Sequence, residues 1–336
     1  MKTVKSKNAK PQIVSLFSGA GGLDLGFKKA GFETVWANEY DKAIAPTFCA
    51  NFPDVEFDGR SISDISDDEI KLLKKRHEIV GVIGGPPCQS WSEAGAKRGI
   101  NDPRGKLFHD YIRFIKVLKP AFFVAENVHG LIHSRNRESF ENIKEMFSKE
   151  GYLVEAKLLN ASDFEVPQDR QRVFIIGYKR TNKVPVSFPL PLKGKKKTLR
   201  DAIGYLENIP LGSVDVLNHD LTPDQTYSSM YMSRNRVRSW EEQSFTILAM
   251  DRHVPLHPSA PKMKKIGKDQ MAFVKGHSYR RLTIRECAEV QTFPKNFNFI
   301  YSNVRNGYKM IGNAVPAKLA YHVAKNIFND LFEVDK

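Results

Sequence analysis

The loop Gly84–Gly95, with the sequence GGPPCQSWSEAG, presents a cysteine in a setting that favours nucleophilic chemistry. The apolar run Ile79–Ile83 before it is typical of a buried strand, and α/β enzymes place their sites at the carboxyl ends of strands. Two prolines stiffen the loop, and polar neighbours leave Cys88 exposed at the turn. A lone cysteine is more often a small buried thiol, but this setting favours a nucleophile. We interpret Cys49 and Cys287 as structural.

Two further motifs place a carboxyl group and two arginines near the same sheet edge. Glu126, in AENVHG, follows the apolar run Ala121–Ala125. A carboxyl group in a semi-enclosed site can hold a proton near neutral pH and act as an acid, with capping or salt bridging as the alternative. In QDRQRVFIIG, Arg170 and Arg172 alternate as a strand begins and therefore share a face. They suit a phosphate or a carbonyl oxygen, with pairing to carboxylates such as Asp169 as the alternative.

A glycine-rich turn, LFSGAGGLDLGF at Leu16–Phe27, joins the first predicted strand to a helix. Gly19, Gly21 and Gly22 let a ligand approach the backbone and the helix N-terminus. Glu39 follows the second predicted strand, twenty positions after Gly19, where doubly wound folds place an acid that binds ribose hydroxyls. The spacing is not GxGxxG, so it favours a smaller adenosine ligand over a dinucleotide. A tight turn without a ligand is the alternative.

Alternating strands and helices predict the scaffold that positions these motifs. Ile13–Phe17 and Thr34–Ala37 are typical of strands, and Leu23–Ala30 lies between them as a helix. This order predicts an α/β fold with a largely parallel, doubly wound sheet. From about Val184 the sequence becomes rich in proline and lysine, which indicates a loop-rich second domain. A helical pattern returns at Ala317–Leu331.

Composition and charge narrow the class of protein. The 336 residues carry 52 basic and 38 acidic side chains; residues 1–180 have 28 and 24, and residues 181–294 have 18 and 11. The basic excess downstream predicts a region that binds a polyanion, with simple solubilisation as the alternative. Three cysteines without CxxC spacing exclude a disulfide framework and disfavour a cysteine-built zinc site. Without a membrane-length apolar run or a signal peptide, we expect a cytoplasmic protein.

Taken together, the motifs resemble those of the C5-cytosine DNA methyltransferase family. FSGAGG, Glu39, PPCQ, ENV, QxRxR and GYKMIGNAVP at Gly307–Pro316 occur in that family's order across nearly the whole chain. The segment Tyr231–Pro261 is similar to the target-recognition segment of bacterial enzymes that methylate GGCC. The resemblance implies a type II restriction-modification methylase that acts on double-stranded DNA in the nucleoid, as a monomer, with a cognate restriction endonuclease as its genetic partner.

The resemblance also implies a domain division and the active-site roles. A Rossmann-like methyltransferase sheet would comprise residues 1–182 and 304–336, a smaller target-recognition domain 183–276, and a hinge 277–303. The catalytic residues would be Cys88, Glu126, Arg170 and Arg172. Cys88 would add to C6 of a flipped cytosine, with Glu126 at N3 and Arg172 at O2, under a lid formed by Ser90–Lys106.

Cofactor and DNA contacts follow from the same resemblance. The residues implied for S-adenosylmethionine are Phe17, Gly19, Gly21, Leu23, Glu39, Ser61, Ile62, Pro87, Leu107, Asn313 and Val315. Ser61 stands where the family usually has Asp, with Asp58 nearby. The candidate DNA contacts are Arg234, Arg236, Arg238 and Arg252, of which we expect at least one to contact only phosphate. We interpret Lys193–Lys197 as a solvated tail, with DNA-backbone contacts as the alternative.

Two other functions stay open at this point. The same cysteine chemistry is used by a branch of the family that modifies transfer RNA, although the long arginine-rich region favours DNA. A DNA-binding protein that has lost catalysis is the other alternative. The complete set of Cys88, Glu126 and Arg172 argues against it.

Overall fold

A mixed seven-stranded sheet forms the centre of the molecule. The computed structural model describes residues 9–87, 103–133, 136–222 and 226–333. The strand order is β3-β2-β1-β4-β5-β7-β6, with β1 to β5 parallel and β7 antiparallel to both β5 and β6. The strands are β1 (Gln12–Leu16), β2 (Glu33–Asn38), β3 (Glu56–Asp58), β4 (Ile79–Gly84), β5 (Phe122–Val128), β6 (Tyr152–Asn160) and β7 (Gln171–Lys179). The predicted α/β class is confirmed, and β7 is the exception to parallel pairing.

Helices cover both faces of this sheet. Those of the described ranges are α1 (Gly22–Lys29), α2 (Ala45–Asn51), α3 (Asp67–Arg76), α4 (Pro103–Leu118), α5 (Arg137–Lys149), α6 (Leu199–Ile203), α7 (Ile284–Val290), α8 (Val304–Asn313) and α9 (Ala317–Leu331). The helices predicted near residues 23–30 and 317–331 are confirmed. None of the helices in the described ranges has the length and apolarity needed to cross a membrane.

The alternation of side chains along each strand explains the two layers. In β1, Val14 packs in a cluster with Phe114 of α4, whereas the adjacent Ile13 packs in another with Val323 of α9. Because successive residues of a strand point to opposite faces, a continuous apolar strand needs cover on both sides. Helices α3, α4 and α5 provide one layer, and α1 and α9 provide the other. The C-terminal helix therefore completes a layer begun near the N-terminus.

The described residues 183–222 and 226–283 contain little regular structure, as the sequence predicts. A two-stranded ribbon, β8 (Lys264–Gly267) and β9 (Gln270–Ala272), lies in this region beside a small core that includes Tyr231. Helix α6 was not predicted, because five residues are too few to show a helical period. Its signal is local instead: Thr198 and Asp201 form a capping box at its start.

Candidate active site

The glycine-rich turn after β1 has the backbone that its sequence predicts. Gly19 and Gly21 have φ angles of 55° and 84°, and Phe17 also lies in the left-handed region at 52°. Left-handed backbone at a non-glycine residue is sparsely populated and concentrates at ligand sites. Gly22 begins α1 against the C-terminal segment, since a Cβ there would lie 2.3 Å from the Val315 carbonyl oxygen. The turn thus brings the first and last segments of the chain into contact.

A cavity of about 540 Å³ opens beside this turn. Its walls come from the carboxyl ends of β1, β2, β4 and β5, from the start of β7, and from the junction of α8 and α9. Clefts of this volume are typical of small-molecule sites, and this sheet edge is where doubly wound folds bind ligands. Six of the predicted cofactor residues line it: Phe17, Leu23, Glu39, Pro87, Asn313 and Val315.

Glu39 is held rigidly at one wall of the cavity. Its Oε2 accepts a hydrogen bond from the Gly19 backbone N–H at 3.0 Å, and its Oε1 accepts one from the Asp41 N–H at 2.8 Å. Burial raises the pKa of this carboxyl, while the two N–H donors and the nearby Lys309 charge oppose that rise. Each oxygen keeps a second lone pair, so Glu39 can accept hydrogen bonds from a ligand hydroxyl.

Lys309 is a cavity residue that the sequence analysis missed. Its Nζ lies 2.5 Å from Asp41 Oδ2, which joins α8 to the loop after β2 across 268 positions of sequence. Both side chains line the cavity. Lys309 belongs to the late motif GYKMIGNAVP, but nothing in the sequence indicates its partner. Because the contact spans the cavity wall, it fastens the C-terminal segment beside Glu39.

Glu126 and Arg172 form a buried pair on adjacent strands. Arg172 Nε lies 3.1 Å from Glu126 Oε1, and both side chains line the cavity. Burial raises the pKa of Glu126, and the charges of Arg172 and Arg170 oppose that rise. The carboxyl lies within β5 rather than after it, because this strand runs three residues further than Ala125. Glu126 thus forms a salt bridge and also lines the cavity, so the salt bridge does not exclude a role for this carboxyl in the site.

The Pro-Pro loop is fixed to the same strand. Asn127 donates from Nδ2 to the Pro86 carbonyl at 2.8 Å, and Pro86 and Pro87 line the cavity next to Glu126. Cys88 follows Pro87 directly in the chain and lies outside the described residues, as do residues 90–102 of the predicted lid. The described part of the loop is thus rigidly placed at the cavity.

Arg170 does not join Arg172 at the cavity, and its predicted catalytic role needs correction. Its side chain is fully buried. It donates to three backbone carbonyls, those of Ile247 at 3.0 Å, Gly312 at 2.8 Å and Ala314 at 2.9 Å. A guanidinium group bonded in this way is a structural clamp. It fixes the C-terminal strip that contributes Asn313 and Val315 to the cavity.

Five more of the predicted cofactor residues lie off the cavity wall. Gly19 and Gly21 provide the left-handed backbone of the turn, and Leu107 of α4 packs against the hydrophobic core. Ile62 is buried in that core, and Ser61 caps the short 3₁₀ turn that follows it. The carboxylate of Asp58, the neighbour considered for Ser61, is already bound by Arg60 at 2.7 Å. None of the described residues between Ile44 and Gly84 lines the cavity, so Ser61 and Ile62 lie outside its wall.

The four candidate DNA arginines fall into two pairs. Arg234 and Arg252 are exposed. Arg236 stacks 4.7 Å from the Tyr231 ring centre and donates to the Tyr231 carbonyl, and Arg238 bonds to Glu242 and Asp169. Partial burial lowers the pKa of His253, and the nearby charges of Arg236, Arg252 and Arg234 lower it further. Three of the four arginines therefore lie near one histidine, and their positive charges add there.

The other reactive groups have simpler settings. Cys287 is buried in the core, as predicted for a structural thiol, whereas Cys49 is exposed on α2 and lines no part of the cavity. Within residues 9–87, 103–133, 136–222 and 226–333, no cluster of three His, Cys, Asp or Glu side chains could hold a metal ion.

Comparisons with known proteins give one consistent relationship. The model of the family "C-5 cytosine-specific DNA methylase" matches residues 12–329. The chain is 48% identical to the type II methyltransferase M.FnuDI of Fusobacterium nucleatum, over 97% of this chain and 96% of that protein. It is 49% identical to the type II methyltransferase M.MthTI of Methanothermobacter thermautotrophicus, over 95% and 97%.

Solved structures share the fold. A putative DNA modification methyltransferase from an Escherichia coli prophage aligns with a TM-score of 0.72 and 23% identity, covering 96% of this chain and all of that one. A DNMT2 variant from Spodoptera frugiperda aligns with a TM-score of 0.70 and 20% identity, covering 95% and 99%. The whole fold, including the loop-rich part, is therefore shared with methyltransferase structures.

Asp24 anchors the helix that begins at the glycine turn, and it makes folding sensitive to pH. It is fully buried in α1, where Ser15 Oγ donates to Oδ2 at 3.0 Å and Thr34 Oγ1 donates to Oδ1 at 3.1 Å. Burial raises its pKa from 3.8 to about 6, with the two hydroxyls opposing the rise. Because the folded-state pKa is the higher one, this group favours folding fully below pH 4 and loses that contribution as pH rises through 6.

We expect Asp24→Asn to remove this pH dependence. The free energy of unfolding of the wild type, relative to the variant, should fall by about 2 kcal/mol between pH 4 and 7. Urea denaturation of both proteins across this range measures the difference. A difference that is constant with pH, whatever its size, would contradict the assigned titration of Asp24.

Proposed function

The chain belongs to the C-5 cytosine-specific DNA methylase family, and we propose that it methylates C5 of a flipped cytosine within a short GGCC-like duplex sequence. It is a DNA cytosine-5-methyltransferase of the type II class. One observation carries the proposal. The buried Glu126–Arg172 pair, the loop leading to Cys88 and the adenosine-type wall around Glu39 all border the same cavity.

The residues of the cavity fit S-adenosylmethionine as the methyl donor. Glu39 has free lone pairs for ribose hydroxyls, and Phe17 and Val315 offer apolar walls. Helix α1 begins without a side-chain cap, so its first N–H groups are available for the carboxylate of the donor. S-adenosylmethionine would supply an electrophilic methyl group on its sulfonium sulfur.

The reaction needs a nucleophile because C5 of cytosine is a weak carbon nucleophile. The Cys88 thiolate adds to C6, which breaks the conjugation of the ring and makes C5 enamine-like. A proton held by Glu126 at N3 and the Arg172 guanidinium at O2 stabilise the charge that develops. C5 would then take the methyl group as its bond to the donor sulfur breaks, which leaves the thioether S-adenosylhomocysteine. Water would accept H5 as a proton while the C6–S bond breaks, which restores the ring and the thiolate.

The raised pKa of Glu126 suits this role. Burial favours the protonated form of this carboxyl, and a protonated carboxyl can donate a hydrogen bond to N3, which an ionised carboxylate cannot do. Arg172 is positioned 3.1 Å from the same carboxyl, so the two groups address neighbouring atoms of one ring edge. The base must be everted to reach them, because none of these atoms is accessible inside a stacked duplex.

We assign DNA reading to the loop-rich region. Residues 1–182 and 304–336 form the catalytic domain, 183–276 the target-recognition domain and 277–303 the hinge. Arg234 and Arg252 are exposed on the positive surface around His253, which suits guanine edges in the major groove. Arg236 and Arg238 already bind protein groups, so we assign them to holding this surface in shape.

The biological role follows from the reaction. Methylation of the target sites protects DNA from a cognate restriction endonuclease, which is a genetic rather than a physical partner. One flipped cytosine and one cavity need one chain, so we propose that the enzyme acts as a monomer. Its place of action is the nucleoid, where the duplex substrate lies.

Replacing the nucleophile separates chemistry from binding. We expect Cys88→Ala to abolish tritium transfer from labelled S-adenosylmethionine to duplex DNA while the dissociation constant for DNA stays within a few-fold of wild type. Cys49→Ala is the matched control and should retain full activity, because that thiol lies away from the cavity. Turnover by Cys88→Ala would overthrow the assignment. Transfer to transfer RNA but not to duplex DNA would favour the RNA branch of the family.

Removing an exposed arginine tests sequence reading. Arg252→Ala should lower discrimination between GGCC-containing and other duplexes by about 1–3 kcal/mol, because a bidentate guanine contact is lost. Competition binding at fixed salt measures this ratio. Arg76→Ala, at the opposite edge of the sheet, should leave it unchanged. An equal loss on all duplexes would identify Arg252 as a phosphate contact.

A further inference from the structure

The lysine segment, defined as Lys193–Lys197, has a fixed place in the fold. Just before it, the Leu192 N–H donates to the Asp163 carbonyl at 3.0 Å. Lys196 Nζ bonds Asp163 Oδ1 at 2.8 Å and Ser162 Oγ at 2.9 Å. At its far end, Gln243 Nε2 donates to the Lys197 carbonyl at 3.0 Å. Because both ends and one side chain are bonded, the segment is not a solvated tail.

This segment lies at the same edge of the sheet as the cavity. Its partners Ser162 and Asp163 directly follow β6, which runs in the same direction as β5 because both are antiparallel to β7. Asn160, at the end of β6, lines a shallow cleft together with Arg172. The lysine segment therefore flanks the catalytic edge.

The segment is also attached to the region that carries the candidate DNA arginines. The Leu199 N–H donates to the Glu242 carbonyl at 3.0 Å, and the Arg200 N–H donates to the Trp240 carbonyl at 2.9 Å. Residues 197–200 thus lie alongside residues 240–243, a few positions after Arg238. The lysine segment therefore adjoins the region that carries the candidate arginines.

Three of the four lysines present their charge to solvent. Lys193, Lys195 and Lys197 are exposed, and within the described ranges none of them forms an ion pair. The nearby carboxylates have other partners. Asp163 binds Lys196, Asp201 caps α6, Glu242 binds Arg238 and Lys262, and Glu165 binds Lys318 and His322.

We propose that Lys193, Lys195 and Lys197 bind phosphates of the duplex flanking the target site, an inference that rests on the proposed DNA substrate. Lysine is a flexible point charge without the guanidinium fork that reads bases. Contacts to phosphate position a protein on DNA and add affinity that does not depend on sequence. The segment therefore anchors the duplex beside the cavity, while the exposed arginines read it.

The test is the salt dependence of DNA binding. The triple variant Lys193→Gln, Lys195→Gln, Lys197→Gln removes the unpaired charges and keeps Lys196, which holds the segment in place. Dissociation constants for one GGCC duplex and one unrelated duplex are measured by fluorescence anisotropy from 50 to 200 mM salt. The slope of log affinity against log salt should become shallower by about 0.9 for each lost phosphate contact, and so by about 2–3 in total.

Two controls sharpen the comparison. Lys75→Gln, Lys116→Gln, Lys119→Gln removes three exposed lysines near the ends of α3 and α4, at the opposite edge of the sheet, and should keep the wild-type slope. The turnover number at saturating DNA should be unchanged in this control variant. The affinity loss of the lysine-segment variant should be equal for the two duplexes.

The inference would be overturned if the lysine-segment variant kept the wild-type slope. It would also be overturned if the control variant lost as much of the slope as the lysine-segment variant does. A loss confined to the GGCC duplex would overturn it as well, because phosphate contacts do not distinguish sequences. Failure of the wild-type enzyme to methylate any duplex would instead refute the proposed function.

Discussion

A carboxyl group and a guanidinium group, 3.1 Å apart at the cavity floor, constrain most of the architecture around them. Burying Glu126 and Arg172 together costs desolvation energy, which is repaid only when the geometry is well fixed. Their strands, β5 and β7, run antiparallel, with Val128 opposite Arg172 in the register. The one strand that breaks parallel pairing is thus the strand that carries Arg172 to Glu126.

Arg170 shows how the same strand organises the rest of the cavity. Its buried guanidinium binds the carbonyl of residue 247, in the loop-rich region, and those of residues 312 and 314, near the C-terminal helix. The loop-rich region and the C-terminal segment are therefore fixed to the start of β7. Gly22 packing against Val315 and the contact between Lys309 and Asp41 close the remaining wall. The cavity therefore forms only when the segment between α8 and α9 packs against the turn after β1.

Much of the scaffold was predictable from local patterns. Apolar runs predicted β1, β2 and β4, and the glycine turn and Glu39 predicted one wall of the cavity, because these signals lie within a few residues of each other. Arg170 and Arg172 could not be separated by sequence, since alternation predicts a shared direction but not the partners that each side chain meets. Arg170 donates hydrogen bonds to three backbone carbonyls, and only the tertiary fold brings these carbonyls together.

The remaining differences have the same origin. Only one strand, β3, separates Glu39 from Ser61 and Ile62 in the sequence. After β3, however, the side chain of Ile62 packs in the hydrophobic core. The partner of Lys309 lies 268 positions away, so no local pattern could indicate it. The sequence alone predicts a solvated lysine segment, because the residues that bind it, Asp163 and Gln243, lie far from it along the chain.

The proposed mechanism depends on covalent attack of the enzyme on the pyrimidine. The covalent adduct that this step forms can be trapped. Fluorine at C5 cannot leave as a cation, so a duplex with 5-fluoro-2′-deoxycytidine at the target should remain bonded to the enzyme after methyl transfer. Mass spectrometry of the digested complex should find the conjugate, with its added methyl group, on the peptide that contains Cys88. An enzyme that methylates ordinary duplex yet yields no conjugate, or yields one on another peptide, would contradict the account.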